Sequence, residues 1–243
     1  MAEDRLKHFR TAKKLNEDKD VKKILKDKKL HFRGNVGSFS LISLNQKTPE
    51  QGKGGFVNEK QGLEFLENSI DILLESKKDK VDTGKSRPTP EKNLQAWIID
   101  YAINHNHQLP FLTNLTFLTS ELAFPTPSKR FVNDILALDC EGNLVVIELK
   151  SARLKKELQT QVNEFCQIIA NEHDFFKELV ILLLPERQWN GKVRKTIVWP
   201  FADCKPREDW EYEDGIPIEE ARYKESPSYK QSRIIEIDEI VFI

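Results

Sequence analysis

Asp134, Glu148 and Lys150 are ionisable residues in a stretch otherwise composed like a buried β-hairpin. Ile135 to Leu138 and Leu144 to Ile147 are apolar runs, the pattern of strands covered on both faces. Between them, Cys140-Glu141-Gly142-Asn143 is a turn signal, with Gly142 free to take positive φ. A loop from Asp139 to Asn143 would set Leu138 opposite Leu144. Asp134 would then face Glu148, and the two-residue alternation of a strand would put Lys150 on the same side. Two carboxylates and an ammonium would converge on one patch of a mostly buried sheet.

Such charges cost several kcal/mol each, in order of magnitude, when buried without partners. A divalent cation is the natural compensation, because one or two carboxylates completed by water and substrate phosphate is the usual protein setting for magnesium. A lysine beside it can orient or deprotonate a water and stabilise charge on a phosphate. The simpler alternative is a structural Glu-Lys pair at the fraying end of an edge strand, although the apolar flanks argue against an edge position.

Asn133-Asp134 followed across a hairpin by Glu148-Leu149-Lys150 resembles the PD-(D/E)xK nucleases of the restriction-endonuclease-like fold, with Asn133 where a proline is familiar. Gln161 opens a Gln-Val-Asn-Glu-Phe pattern similar to the Gln-x-x-x-Tyr that follows the lysine in several branches. Glu91 stands early in a preceding helix, where many members carry an acid that reaches the metal. The likeness covers roughly Pro90 to Leu184. It implies an α/β fold with a mixed sheet flanked by helices, and a nuclease that hydrolyses DNA phosphodiester bonds with Mg2+ or Mn2+. Asp134, Glu148 and the Leu149 carbonyl would bind the ion, and Lys150 would position the attacking water. Glu91 would hold a metal-bound water, and Gln161 would orient the site. Restriction or phage defence and DNA repair both suit such an enzyme. The rival expectation is a non-catalytic nucleic-acid-binding or assembly protein that keeps the nuclease fold. Against it, both acids and the lysine are present, whereas degenerate members of such folds usually lose one.

Composition sets the outer bounds. The 243 residues are 32% charged and 39% hydrophobic, ample for a real core, with a formal net charge of −1. That balance hides an uneven distribution: residues 1–33 hold twelve Lys or Arg against six Asp or Glu, while Arg207 to Glu220 is acidic. A basic N-terminal segment can meet phosphates, but a solvated helix face is the commoner reason for such a run. Cys140, Cys166 and Cys204 form no metal-ligand spacing and suggest reduced thiols. With no membrane-length apolar run and no signal-peptide core, a cytoplasmic protein is expected, with DNA as partner and a homodimer left open.

The elements that must hold the charged patch follow from periodicity. Residues 1–33 read as one or two charged helices, and Gly34 to Gly55, with five glycines, as a flexible connector around one short strand. Gly52-Lys53-Gly54-Gly55 lacks the ending of a phosphate loop. A helix is expected over 58–77, then a polar linker over 77–88. Thr89-Pro90-Glu91 is a helix start, which alone accounts for Glu91. Strands are predicted at 115–118, 131–138 and 144–150, then a helix over 155–177 with Leu158, Val162, Phe165 and Ile169 inward and Gln161 beside that stripe. Strands at 178–184, 195–199 and 234–243 would finish the fold. The expected organisation is a helical, basic region over 1–85, the nuclease core over 86–200 and an extension over 201–243.

Overall fold

A computed structural model of the chain describes residues 4–45, 53–68, 90–125, 130–150, 157–200, 215–224 and 241–242. The chain divides into two units, Met1–Ala96 and Trp97–Ile243. The expected linker over 77–88 lies outside the described residues, as does most of the strand expected over 234–243.

The first unit holds two helices within 1–33, as expected, and a sheet that the helical reading did not include. Helices α1 (Lys7–Glu17) and α2 (Lys19–Asp27) are followed by strands β1 (Leu30–Gly34), β2 (Phe39–Ser43) and β3 (Lys53–Phe56), then helix α3 (Glu59–Asn68). The three strands form an antiparallel sheet in the order β1-β2-β3. Asp18 separates the helices: it ends α1 with extended backbone, and its side chain accepts the N–H groups of Asp20 and Val21 to cap α2. Alternation then drives the sheet, with Leu30 and Phe32 of β1 and Phe39 and Leu41 of β2 turned onto Leu15, Leu25, Phe56 and Phe65. Within the connector expected over 34–55, residues 34, 39–43 and 53–55 belong to these strands. The strands are four or five residues long, too short for periodicity to separate them from a linker, and β1 and β3 contain glycine.

The second unit is a six-stranded mixed sheet in the order β4-β5-β6-β7-β8-β9. Its strands are β4 (Thr116–Pro125), β5 (Arg130–Leu138), β6 (Leu144–Leu149), β7 (Val193–Pro200), β8 (Ile218–Lys224) and β9 (Val241–Phe242). The neighbours β4, β5 and β6 run antiparallel, β6, β7 and β8 parallel, and β8 and β9 antiparallel. Helix α4 (Pro90–Asn104) precedes β4, and helices α5 (Glu157–Asn171) and α6 (His173–Leu183) fill the crossover between β6 and β7. All six residues of β6 are buried, as expected for a strand covered on both faces, and α5 packs across β5, β6 and β7. The architecture is α/β. Among the described residues no helix is long and apolar enough to cross a membrane.

In the second unit three elements differ from what the sequence predicts. The run Glu178 to Leu184 was expected as a strand but closes α6, whose buried residues Phe175, Phe176, Leu179 and Val180 follow helical spacing. A continuous apolar run fits a buried strand or a buried helix equally, and here the flanking helical residues decide. The single helix expected over 155–177 breaks at Glu172, which leaves the helical region at φ −115° and ψ 36°. Strand β8, within and beyond the acidic segment, had no clean alternation to announce it.

Candidate active site

The β5–β6 hairpin has the register that its apolar runs require. Leu138 pairs with Leu144, Ala137 with Val145, Leu136 with Val146 and Ile135 with Ile147. The loop from Asp139 to Asn143 is held by Asp139 Oδ1, which accepts the N–H of Glu141 at 2.9 Å and of Asn143 at 2.8 Å. Gly142 has φ +86°, and a Cβ there would meet the Gln188 carbonyl at 2.7 Å, so glycine is required twice over. Arg194 of β7 anchors the same loop, its guanidinium 2.6 Å from Asp139 Oδ2 and also paired with Glu219 of β8. Burial alone would raise the Asp139 carboxyl, but hydrogen bonds from Asn143 and Arg194 outweigh it and hold the carboxyl below its ordinary value. This end of the hairpin is a rigid brace.

The other end opens. The β5–β6 ladder stops at Ile135–Ile147, while β5 continues beside β4 to Arg130 and β6 continues beside β7 to Leu149. Side chains take over where the ladder ends. Asp134 Oδ2 accepts the Leu149 N–H at 2.8 Å, and Asn133 Nδ2 donates to the Ile147 carbonyl at 3.2 Å. Asp134 and Glu148 occupy the next positions of the same register, at the mouth of this fork. Lys150 Nζ lies 2.6 Å from Glu148 Oε1, with both side chains largely buried. The Lys150 N–H donates to the Val198 carbonyl at 2.9 Å, and Tyr223 of β8 donates its hydroxyl to the Lys150 carbonyl at 3.3 Å.

Burial and like charge meet at Asp134. The Asp134 carboxyl is pushed up from 3.8 to about 7, first by burial and then by the neighbouring Glu148 carboxylate. The Leu149 N–H and the Lys150 ammonium pull the other way and do not cancel the rise. Glu121 of β4 adds a further upward push. Carboxylates that repel each other at a half-buried position suit a hard divalent cation, which Asp134 and Glu148 would hold between them. Among the described residues no set of three or more His, Cys, Asp or Glu side chains is gathered closely enough to hold an ion by itself. Direct protein ligation would come from the two carboxylates, with oxygens from backbone or water completing it.

Glu91, Gln161 and Leu149 are the remaining expected residues. Glu91 is half-buried in the first turn of α4, within the Met1–Ala96 unit. Gln161 stands on the exposed side of α5, whereas its neighbours Val162 and Asn163 are buried. Leu149 enters the site through its N–H, the donor to Asp134. Sequence reasoning missed Glu121, although the rule that singled out Asp134 applies to it: one acid in the otherwise uncharged run Phe117 to Phe124. It also missed Tyr223, a single aromatic residue with no local pattern to flag it. No protein-family model matches the chain, and no curated protein is significantly similar to it.

Proposed function

We propose that the protein is a Mg2+- or Mn2+-dependent DNA endonuclease of the restriction-endonuclease-like architecture, hydrolysing phosphodiester bonds in restriction, phage defence or repair. The observation that carries this reading is the fork itself: Asp134, Glu148 and Lys150 meet where β5 and β6 part, beyond a ladder in which Ile135 to Leu138 and Leu144 to Ile147 are buried and apolar. The order of helix α4, antiparallel β4-β5-β6, helix α5 and parallel β7 supports the architecture.

Asp134 and Glu148 would hold the cation, with the Leu149 N–H fixing the Asp134 carboxylate in place. A bound divalent cation supplies Lewis acidity at the phosphate and lowers the pKa of a coordinated water. Lys150 would exchange its bond to Glu148 for the scissile phosphate and the incoming water, orienting the water for in-line attack and balancing charge in the transition state. The brace formed by Asp139, Arg194 and Glu219 at the opposite end keeps the hairpin from shifting by a residue, which would turn every one of these side chains to the other face.

A panel of single-stranded, duplex, branched and mismatched DNA, with RNA beside it, tests the assignment in magnesium and in EDTA. Magnesium-dependent cleavage that disappears in Asp134→Ala, Glu148→Ala and Lys150→Ala is expected. Cleavage that survives both carboxylate replacements would sink it.

One specific observation favours the rival reading of a non-catalytic nucleic-acid-binding or assembly protein. Lys150 already satisfies Glu148 at 2.6 Å, and Leu149 already satisfies one oxygen of Asp134, so the fork can close as a structural clamp without an ion. Manganese titration separates the two: a metal centre binds the ion and a clamp does not.

A further inference from the structure

Lys150 has a counterpart two strands away. In the parallel part of the sheet Glu148 pairs with Ile197, and Ile197 with Glu220, so the two acids share one face and one cross-strand row. The next row on that face runs from Lys150 through Trp199 to Arg222. Leu149 pairs with Val198 and Trp199 with Arg222, and the Lys150 N–H reaches the Val198 carbonyl at 2.9 Å. Acids occupy one row and cations the next. Both cations stand at the carboxyl ends of parallel strands, the edge of an open α/β sheet beyond which ligands bind. Two interstrand steps separate Lys150 from Arg222, about 10 Å. A duplex strand advances about 3.4 Å along its axis per phosphate, so two long side chains at that spacing reach neighbouring phosphates rather than the same one.

The bonding of Arg222 sets it apart. Arg194, on the opposite face of the same sheet, commits its guanidinium to Asp139 at 2.6 Å and to Glu219 at 2.8 Å. Arg222 lies 3.6 Å from Glu220 Oε2, beyond hydrogen-bonding distance, and donates no hydrogen bond among the described residues. Its side chain is 29% exposed. A guanidinium carries five N–H donors in a planar fork, the shape that takes two oxygens of one phosphate at once.

We propose that Arg222 is a phosphate-binding residue of the cleavage site, gripping the DNA backbone beside the scissile phosphate that Lys150 faces. The inference rests on the reading of the fork as a nuclease centre, and it extends that centre from β6 to β8. Glu220 keeps the guanidinium near this position and yields it to a phosphate, whose oxygens can approach within ordinary hydrogen-bonding distance. A backbone contact of this kind fixes the strand's register in the site and carries no sequence information.

The test is duplex-DNA binding by the full chain in EDTA over a range of salt, read by fluorescence anisotropy, beside cleavage in magnesium and the melting temperature. Arg222→Gln should weaken binding about 10- to 100-fold, the scale of a hydrogen bond to a charged group. It should also lower the slope of log affinity against log salt by about 0.9. Turnover at saturating DNA should stay near the wild-type value, because Arg222 touches neither the metal nor the attacking water. Glu220→Gln removes the carboxylate that competes with the phosphate, so it should tighten binding, and it decides the matter if Arg222→Gln fails to fold. Were Arg222 only the structural partner of Glu220, both variants would lower the melting temperature and leave affinity and slope unchanged. That result overturns the proposal and leaves the nuclease reading standing. A wild-type chain that binds DNA but cleaves none with magnesium or manganese overturns the nuclease reading, while a lower slope in Arg222→Gln would still assign the phosphate contact. A wild-type chain that binds no DNA overturns both.

Discussion

Lys150, one residue past the end of β6, closes at 2.6 Å on Glu148 of that strand, whose other residues are buried and apolar. The pair neutralises itself, and that fixes what each substitution should do. Lys150→Ala leaves a largely buried carboxylate beside Asp134 with no ammonium, a loss of about 3 kcal/mol at the lower end of what broken buried pairs cost. A divalent cation can take the place of the missing charge. Mn2+ should therefore raise the melting temperature of Lys150→Ala more than that of the wild-type chain, while turnover is lost. A variant that is stable without metal and gains nothing from it would show that Glu148 was never part of a cation site.

Lys150→Arg separates charge from shape. A planar guanidinium can still pair with Glu148, but it cannot replace a compact ammonium that must reach both a water and a phosphate. Melting temperature near that of the wild type with poor cleavage is the expected combination. Near-normal cleavage would mean that only the positive charge matters.

Asp134 gives the protein a pH signature. Its carboxyl titrates near 7 in the folded chain and near 3.8 when unfolded, chiefly because of burial and then because of Glu148. A raised pKa means that the folded state holds the proton more tightly, so this contribution is fully present below about pH 4 and lost as pH rises through about 7. Each tenfold change in proton affinity is worth about 1.4 kcal/mol, which makes the loss on the order of a few kcal/mol. Urea unfolding in EDTA should show stability falling over that window, Asp134→Asn should flatten the fall, and Mg2+ should restore stability above pH 7. A wild-type profile as flat as that of Asp134→Asn would contradict the burial of this carboxyl.

The contrast between the two units shows what a sequence can disclose. The β5–β6 register was legible because a one-residue slip would put the ionisable side chains and the apolar ones on the wrong faces, leaving one acceptable alignment. No such penalty constrained Glu178 to Leu184, where apolar residues occupy every position after the first, and the choice between strand and helix fell to packing. Gln161 was drawn to the site by resemblance and by its place beside the apolar stripe of α5, and in the structure it is exposed. In the first unit the sheet was hidden because its order comes from distant contacts. A Cβ on Gly34 would meet the Phe9 Cα at 2.5 Å, a closeness that no local pattern announces.

That closeness is testable. Gly34→Ala would force β1 away from α1 at a backbone contact that cannot yield like a side-chain tip, at a cost of about 1–3 kcal/mol for overpacking. The neighbouring Asn16 acts as a stand-in strand: its Oδ1 accepts the Phe32 N–H at 2.9 Å and its Nδ2 donates to the Phe32 carbonyl at 2.7 Å. Asn16→Ala strips both partners from the edge of β1, and unpaired edge groups invite pairing with another chain. Light scattering should show a lower melting temperature with a rise in mass for Asn16→Ala, and a lower melting temperature alone for Gly34→Ala. Two variants as stable as the wild type would mean that α1 does not guard this edge.

The basic N-terminal segment calls for substitution rather than deletion. Residues 1–33 contribute Leu15, Leu25, Leu30 and Phe32 to the core of the first unit, so removing them would unfold it and say nothing about DNA. Lys22, Lys23 and Lys26 of α2 are exposed, and replacing all three with Gln should leave the melting temperature nearly unchanged, as surface substitutions usually do. Salt titration of DNA binding then reads their role. Each lysine that meets a phosphate contributes about 0.9 to the slope of log affinity against log salt for duplex DNA. Cleavage at saturating DNA should be unaffected, because the proposed chemistry belongs to the fork between β5 and β6. A slope lower by two to three times that amount would make α2 a phosphate-tracking helix, and the same slope in a folded variant would assign its lysines to solvent.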